Sequence, residues 1–249
     1  MHAPDVESLE RATAAAVSPQ WLHEHGGWLL ALDRGTVRRA CSAVPLRHEA
    51  LPVQALPGIE ARYRARGLRP AFRVCDAPCF EELRAALVQA GYRPEQPTLT
   101  LVGAVDAMAA AAGAGAEAAA VAARPDEAWA ALFLGPGFDP VDGAHRVRAL
   151  GRAAGSVYAS VREHGATVAA GAGAFSHGWA SVHGMRTAPD RRGRGLAGRV
   201  LAALAGVARQ RGLGRVFLQV EEGNAPARAL YRRAGLETVW RYHYWRQPD

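Results

Sequence analysis

The segment 185–201 constrains this chain more than any other. An extended stretch runs into a turn rich in Arg and Gly, and the turn runs directly into an amphipathic helix. Successive backbone amides of such a turn point inward. The unpaired amides of the helix start add a positive dipole end, so the junction suits an anion. Gly193 and Gly195 let a ligand reach the backbone with no side chain in the way. Arg191, Arg192 and Arg194 place charge where a diphosphate would sit. The pattern is not a P-loop, because no Gly-Lys-Ser/Thr follows, and it lacks the Gly-x-Gly-x-x-Gly spacing of dinucleotide folds. Taken alone, it also fits a solvated turn at the start of a surface helix.

A second segment narrows the choice. Residues 215–220 form a short apolar strand signal. Asn224 is placed to cap the next helix, and Pro226 falls in its first turn, where a missing N–H costs nothing. Gly235 is placed to end that helix, before a closing strand. Arg192, Gly195 and Ala197 fit Arg-x-x-Gly-x-Gly/Ala, and Asn224, Ala227, Leu230, Tyr231 and Gly235 follow in order. From about Arg124 to the C-terminus, the chain resembles the GNAT N-acetyltransferase superfamily through these two signatures. The expected fold class is α/β (α+β), a GNAT-like mixed, mainly antiparallel sheet flanked by helices. An N-terminal α/β domain would precede it.

The resemblance implies acetyl-CoA as acyl donor and a primary amine as acceptor, reacting by direct attack in a ternary complex. The implied cofactor-binding residues are Met185, Arg186, Thr187, Arg192, Gly193, Arg194, Gly195, Leu196, Ala197, Gly198, Asn224 and Tyr231. Such chemistry needs a route for the amine proton, a polarised carbonyl and a proton for the departing thiolate, with the reactants held together. Tyr231, the Tyr of the second signature, is the candidate acid; aromatic packing on its helix is the structural alternative. Asn224 is a helix cap first and a cofactor contact second. Many family members carry a Glu on the strand before the loop as base. Here that strand offers His183 and no carboxylate; a histidine could serve if it titrates near neutrality, although a lone His on a strand is more often structural. Glu163, Glu221 and Glu222 are other relays. No metal is expected.

A net charge of +7, carried by Arg, suits an anionic partner such as coenzyme A. The Arg residues are scattered with no long basic run, which argues against nucleic acid. Cys41, Cys75 and Cys79 match neither a disulfide framework nor a zinc set. No apolar run reaches transmembrane length, and the N-terminus lacks the pattern of a signal peptide, so a cytoplasmic, membrane-free protein is expected. Homodimerisation is left open.

Residues 104–123, rich in Ala and Gly, mark a linker between a domain at 1–103 and the acetyltransferase domain at 124–249. Before that seam, 28–32 and 37–44 suggest a hairpin around Asp33 and Gly35. Helices are expected at 56–66 and 80–90, with strands at 70–74 and 98–102. After the seam, 125–134 and 144–154 are expected to be helices, with Pro136, Gly137 and Pro140 in the loop between them. Both 86–94 and 230–238 read as a helix end, Ala-Gly, then a β element. The N-terminal region is thus a candidate degenerate copy of the same fold, with Leu87 in place of Tyr231 and no loop of its own. The competing functions are a non-catalytic acyl-CoA-binding regulatory module and a protein or peptide N-acetyltransferase.

Overall fold

Among the described residues, short apolar runs build one sheet of eleven strands. The computed structural model describes residues 5–113 and 115–248. Ala114 of the Ala/Gly stretch, and the ends of the two expected domains at 1–4 and 249, lie outside them. The N-terminal region contains α1 (Val6–Val17), β1 (Trp21–His25), β2 (Trp28–Leu32), β3 (Ala43–Pro45), α2 (Leu56–Arg64), β4 (Ala71–Cys75), α3 (Glu81–Gln89) and β5 (Arg93–Ala104). Then come α4 (Val105–Ala109), β6 (Ala120–Ala122), α5 (Glu127–Leu134), α6 (Pro140–Arg152), β7 (Val157–Glu163), β8 (Ala166–Ser176) and β9 (Trp179–Thr187). The chain ends with α7 (Leu196–Gln210), β10 (Arg215–Glu221), α8 (Ala225–Arg233) and β11 (Leu236–Arg246).

The strand order is β1-β2-β3-β4-β11-β5-β10-β9-β8-β7-β6. Only β3 with β4 and β9 with β10 pair in parallel; the other neighbours are antiparallel. The order reads alike from both sides of the antiparallel β5–β11 pair. β4 leads through α3 to β5, and β10 leads through α8 to β11, yet β11 lies against β4 and β5 against β10. The two strand–helix–strand units have exchanged their last strands. This pseudo-twofold arrangement is the backbone counterpart of the internal likeness between 86–94 and 230–238.

Side-chain alternation divides the helices between the two faces. Ala169 of β8 joins the apolar cluster under α7, with Val200, Leu201, Leu204 and Ala208. Its neighbours Ala170 and Ala172 face Trp129, Phe133 and Leu150 of α5 and α6. Leu9 and Ala12 of α1 cover Val102, Trp179 and Phe217.

Several elements differ from the reading of the sequence. Trp28–Leu32 does pair with a strand after residue 37, but that strand is only Ala43–Pro45, because Arg38–Ala40 form a 3-10 turn. The tight hairpin is instead β1–β2, turning on Gly26 and Gly27, both at positive φ. Pro140 is the first residue of α6 rather than loop, since the Asp139 carboxylate accepts from the amides of Val141 (2.8 Å) and Asp142 (3.2 Å). Within 104–123, Val105 and Met108 of α4 are buried in the cluster beneath α7.

Candidate active site

The site begins where two strands part. β9 and β10 pair only through Ala180, Ser181 and Val182 against Val216, Phe217 and Leu218; beyond them both strands continue without pairing each other. On the other edge of β9 the register slips. Ala172 lies opposite His183 and Ala170 opposite Arg186, so Gly184 and Met185 share the single residue Gly171. This is a β-bulge, which leaves a residue outside the ladder and bends the strand. Gly184 takes φ +59°, and a Cβ there would lie 2.7 Å from Leu150 Cδ1. At Gly171 a Cβ would lie 2.5 Å from Met185 Sδ. The positive φ at Gly184 favours glycine there, while a side chain at Gly171 would have to displace Met185 and Val200.

A cleft of about 1180 Å³ opens from this gap. The expected cofactor-binding residues and His183 line it: His183, Met185, Arg186, Thr187, Arg192 to Gly198, Asn224 and Tyr231; of the alternative relays Glu221 does, whereas Glu163 and Glu222 do not. After β9 the chain makes a 3-10 turn at Pro189–Arg191, then passes Gly193 and Gly195 at φ +78° and +75°. No side chain caps α7, so its first amides remain available to a ligand. Arg191 is held by Glu163 (2.9 Å) and Asp190. Arg192 and Arg194 are exposed and have no partner among the described residues. Gly198 also packs α7 against the Ala110–Ala112 turn: a Cβ there would lie 2.3 Å from the Ala111 carbonyl oxygen.

Asn224 is the α8 cap, its Oδ1 accepting from the Ala227 amide at 3.2 Å. Tyr231 lies about two turns further along α8 and is 7% exposed. Burial raises its pKa to about 12, so it stays a proton donor throughout the neutral range. His183 is 3% exposed, with Nε2 against Ser181 Oγ at 2.9 Å and Nδ1 unpartnered among the described residues. Burial, helped by the charge of Arg39, holds its pKa well below the ordinary imidazole value. The near-neutral titration that a base role would require is not found, because the ring sits against Phe217 beneath α1 rather than in solvent. Glu221 accepts from Gln96 Nε2 and Glu222 lies near Arg241 (3.4 Å).

The side of the cleft away from the Arg192–Gly198 loop was not foreseen. Phe138, Asp142 and Arg146 reach it from the start of α6, and Thr36, Arg38 and Arg39 from the N-terminal region. The Arg186 guanidinium lies 3.9 Å from the Phe138 ring centroid and 5.0 Å from that of Phe133, near Asp142 at 3.5 Å. Burial lowers its pKa to about 10, which leaves it charged at neutrality. Thr36 Oγ1 donates to Asp142 Oδ1 (2.8 Å) and Arg152 to Asp33 (2.7 Å), so the 33–40 turn is fastened to α6. In sequence, two Arg beside a Gly turn look like a solvated surface. Among the described residues no group of His, Cys, Asp and Glu could hold a metal, and no helix is long and apolar enough to cross a membrane.

Comparison with known proteins places these features. A family model described as "Probable histone acetyltransferase Rv0428c C-terminal" matches residues 3–245. A mycothiol acetyltransferase of Clavibacter michiganensis is 51% identical over 57 residues, covering 23% of this chain and 19% of that protein. The chain thus spans about a fifth of the length of the curated relatives it matches. A GCN5-related N-acetyltransferase from Kribbella flavida superposes with TM-score 0.72 at 19% identity, covering 98% of this chain and 96% of that one. A tandem GNAT protein from the clavulanic acid biosynthesis pathway gives TM-score 0.61 at 14% identity, covering 97% and 94%. The likeness reaches across both halves, beyond the 124–249 portion in which the motifs were legible. The chain belongs to the Rv0428c C-terminal family of GNAT acetyltransferases.

Proposed function

We propose that this protein transfers an acetyl group from acetyl-CoA to a primary amine of a small molecule. One observation carries the reading. The parted β9–β10 gap, the bulge at Gly184 and Met185, the uncapped start of α7 and the Tyr231 side chain all face one cleft. In this reading the amides of Arg192 to Gly198, with Arg192 and Arg194, hold the donor's diphosphate. Asn224 shapes the start of α8 alongside it. The backbone between Met185 and Thr187 runs along the thioester arm, and the bulge amide near Met185 polarises the carbonyl as negative charge develops on it.

The amine nitrogen attacks the thioester carbonyl carbon, the C–S bond breaks, and the Tyr231 hydroxyl gives its proton to the departing sulfur. The excess proton of the amine leaves by another path. Burial keeps His183 neutral at physiological pH and encloses its Nδ1, so it does not suit the role of a strong base. Water in the open cleft relays the proton lost by the attacking nitrogen back to Tyr231, restoring its hydroxyl, and carries any further ammonium proton to solvent. The family description favours a second reading, a lysine of a protein as acceptor.

The test follows thiol release from acetyl-CoA with panels of small amines and basic peptides, with mass spectrometry of the product. Acetylated small amine is the expected result. Exclusive use of peptides would favour the second reading. CoA binding without any turnover would leave a binding module.

A further inference from the structure

The far side of the cleft carries an unmatched positive charge. Its other ionic groups are paired: Arg38 with Glu95 (2.6 Å), and Asp142 with Arg146 (2.9 Å) and Arg186 (3.5 Å). Glu221 accepts from Gln96. Arg39 alone, among these described residues, has no ion pair and no hydrogen bond, and its Nε is buried without a partner. A buried guanidinium donor left unpaired costs stability, so such a donor on a cleft wall is open to a ligand, as Arg186 Nη1 in the same cleft also is.

The position of Arg39 fits an acceptor subsite. It lies in the Arg38–Ala40 turn, whose Ala40 packs with Val17, Val37 and Ala149. The same turn is tied to α6 by the Thr36–Asp142 and Asp33–Arg152 contacts. Its guanidinium is therefore held on a supported loop. It lines the same cleft as His183, Tyr231 and Tyr242, and its turn packs on α1 and α6 rather than in the cluster under α7, the helix that follows the phosphate loop. A planar fork of donors there matches an oxyanion in a way that a lone ammonium would not.

We propose that Arg39 anchors an anionic group on the acceptor, so that the acceptor is an amine that also bears a carboxylate or phosphate. The proposal rests on the acetyl-transfer reading above and names its substrate class. The N-terminal half, without a phosphate loop, then serves the reaction by supplying one wall of the acceptor pocket.

The experiment compares matched acceptors through thiol release from acetyl-CoA: amino acids against their carboxamides, and phosphoethanolamine against ethanolamine. Wild-type protein is expected to prefer the anionic member by about tenfold or more in kcat/KM, chiefly through KM, as one charge-assisted contact would give. Arg39→Gln should bring that ratio to about 1, and Arg39→Lys should retain part of it. The amino acid and phosphoethanolamine arms separate a carboxylate from a phosphate. Equal use of charged and uncharged acceptors, or a preference that survives Arg39→Gln, overturns the anchor. A second arm titrates N-acetyl amino acids and their amides into the protein–CoA complex by calorimetry. Carboxylate-dependent binding that Arg39→Gln abolishes, with no amine acetylated, would leave the anchor standing and remove the acetyl-transfer reading. Absence of both turnover and carboxylate-dependent binding removes both.

Discussion

Gly198 in α7 and Ala111 in the turn after α4 lie so close that a Cβ on Gly198 would sit 2.3 Å from the Ala111 carbonyl oxygen. The obstacle is backbone and cannot swing aside. Gly198→Ala must push α7 away from the Ala110–Ala112 turn. We expect a loss of about 1–3 kcal/mol, as for other overpacked sites, read by chemical denaturation. Gly206, on the same helix with nothing within 4 Å of its added Cβ, is the control. Gly206→Ala should be neutral or stabilising, by up to about 1 kcal/mol, since it removes a flexible residue from a helix.

Charge reversal at the loop tests its role with the acyl donor. Arg192 is exposed and unengaged, whereas Arg191 is already tied to Glu163 and Asp190. Arg192→Glu should weaken acetyl-CoA binding by roughly tenfold to a hundredfold, the range of one or more lost charge-assisted contacts. Arg191→Ala should cost less. Calorimetry reads both, and an unchanged affinity for Arg192→Glu would remove the diphosphate from this loop.

Tyr231 is held protonated by burial, at a pKa of about 12. A general acid with a raised pKa loses its proton only above that value. The pH–rate profile should therefore show no alkaline fall from Tyr231 between pH 6 and about pH 10. Tyr231→Phe should lower kcat by about 10²–10⁴ while acetyl-CoA affinity changes little. Retained turnover would mean that the thiolate draws its proton from elsewhere.

The parts of this site that were legible in the sequence are those written by local rules. Gly195 opening a helix, Asn224 capping one and Gly235 ending one each act within a few residues, and each was readable without the fold. The exchange of β5 and β11 was not, because their pairing joins residues 93–104 to 236–246 and no local pattern records the partner. Helix α1 was missed for a related reason. Its buried side includes Glu10, Thr13 and several Ala, which do not read as an apolar stripe until the partner Arg73 is known. Arg39 was hidden in the same way, since an Arg beside a turn looks solvated until α6 and the cleft are in place.

His183 links stability to pH. Its native pKa is depressed by burial, so the unfolded chain takes up a proton near the ordinary value of 6.5 while the native chain does not. The unfolded state then binds more protons, and stability falls as pH drops below about 6.5 toward the native pKa. His48, also depressed by burial and by Arg73, acts in the same direction. The melting temperature should decline between pH 7.5 and 5, and His183→Gln should flatten part of that decline. A slope identical to wild type would show that His183 does not titrate on unfolding.

Glu10 and Arg73 form the most deeply buried ion pair among the described residues, 2% and 3% exposed, and it fastens α1 to β4. Arg73 donates from Nη1 to Glu10 Oε1 at 3.0 Å and from Nη2 to Oε2 at 2.5 Å, with its guanidinium 5.1 Å from the Tyr242 ring centroid. Removing one partner leaves the other charge stranded in apolar surroundings. Glu10→Ala and Arg73→Ala should each destabilise by about 3–5 kcal/mol, while replacing both by apolar residues of similar size should cost far less. The difference separates a pair whose attraction holds the fold from one that is merely expensive to break. The single variants should also loosen Tyr242, which lines the cleft beside Arg39. Their kcat/KM for an anionic acceptor should therefore fall more than their affinity for acetyl-CoA, whose proposed loop lies on the opposite side of the cleft.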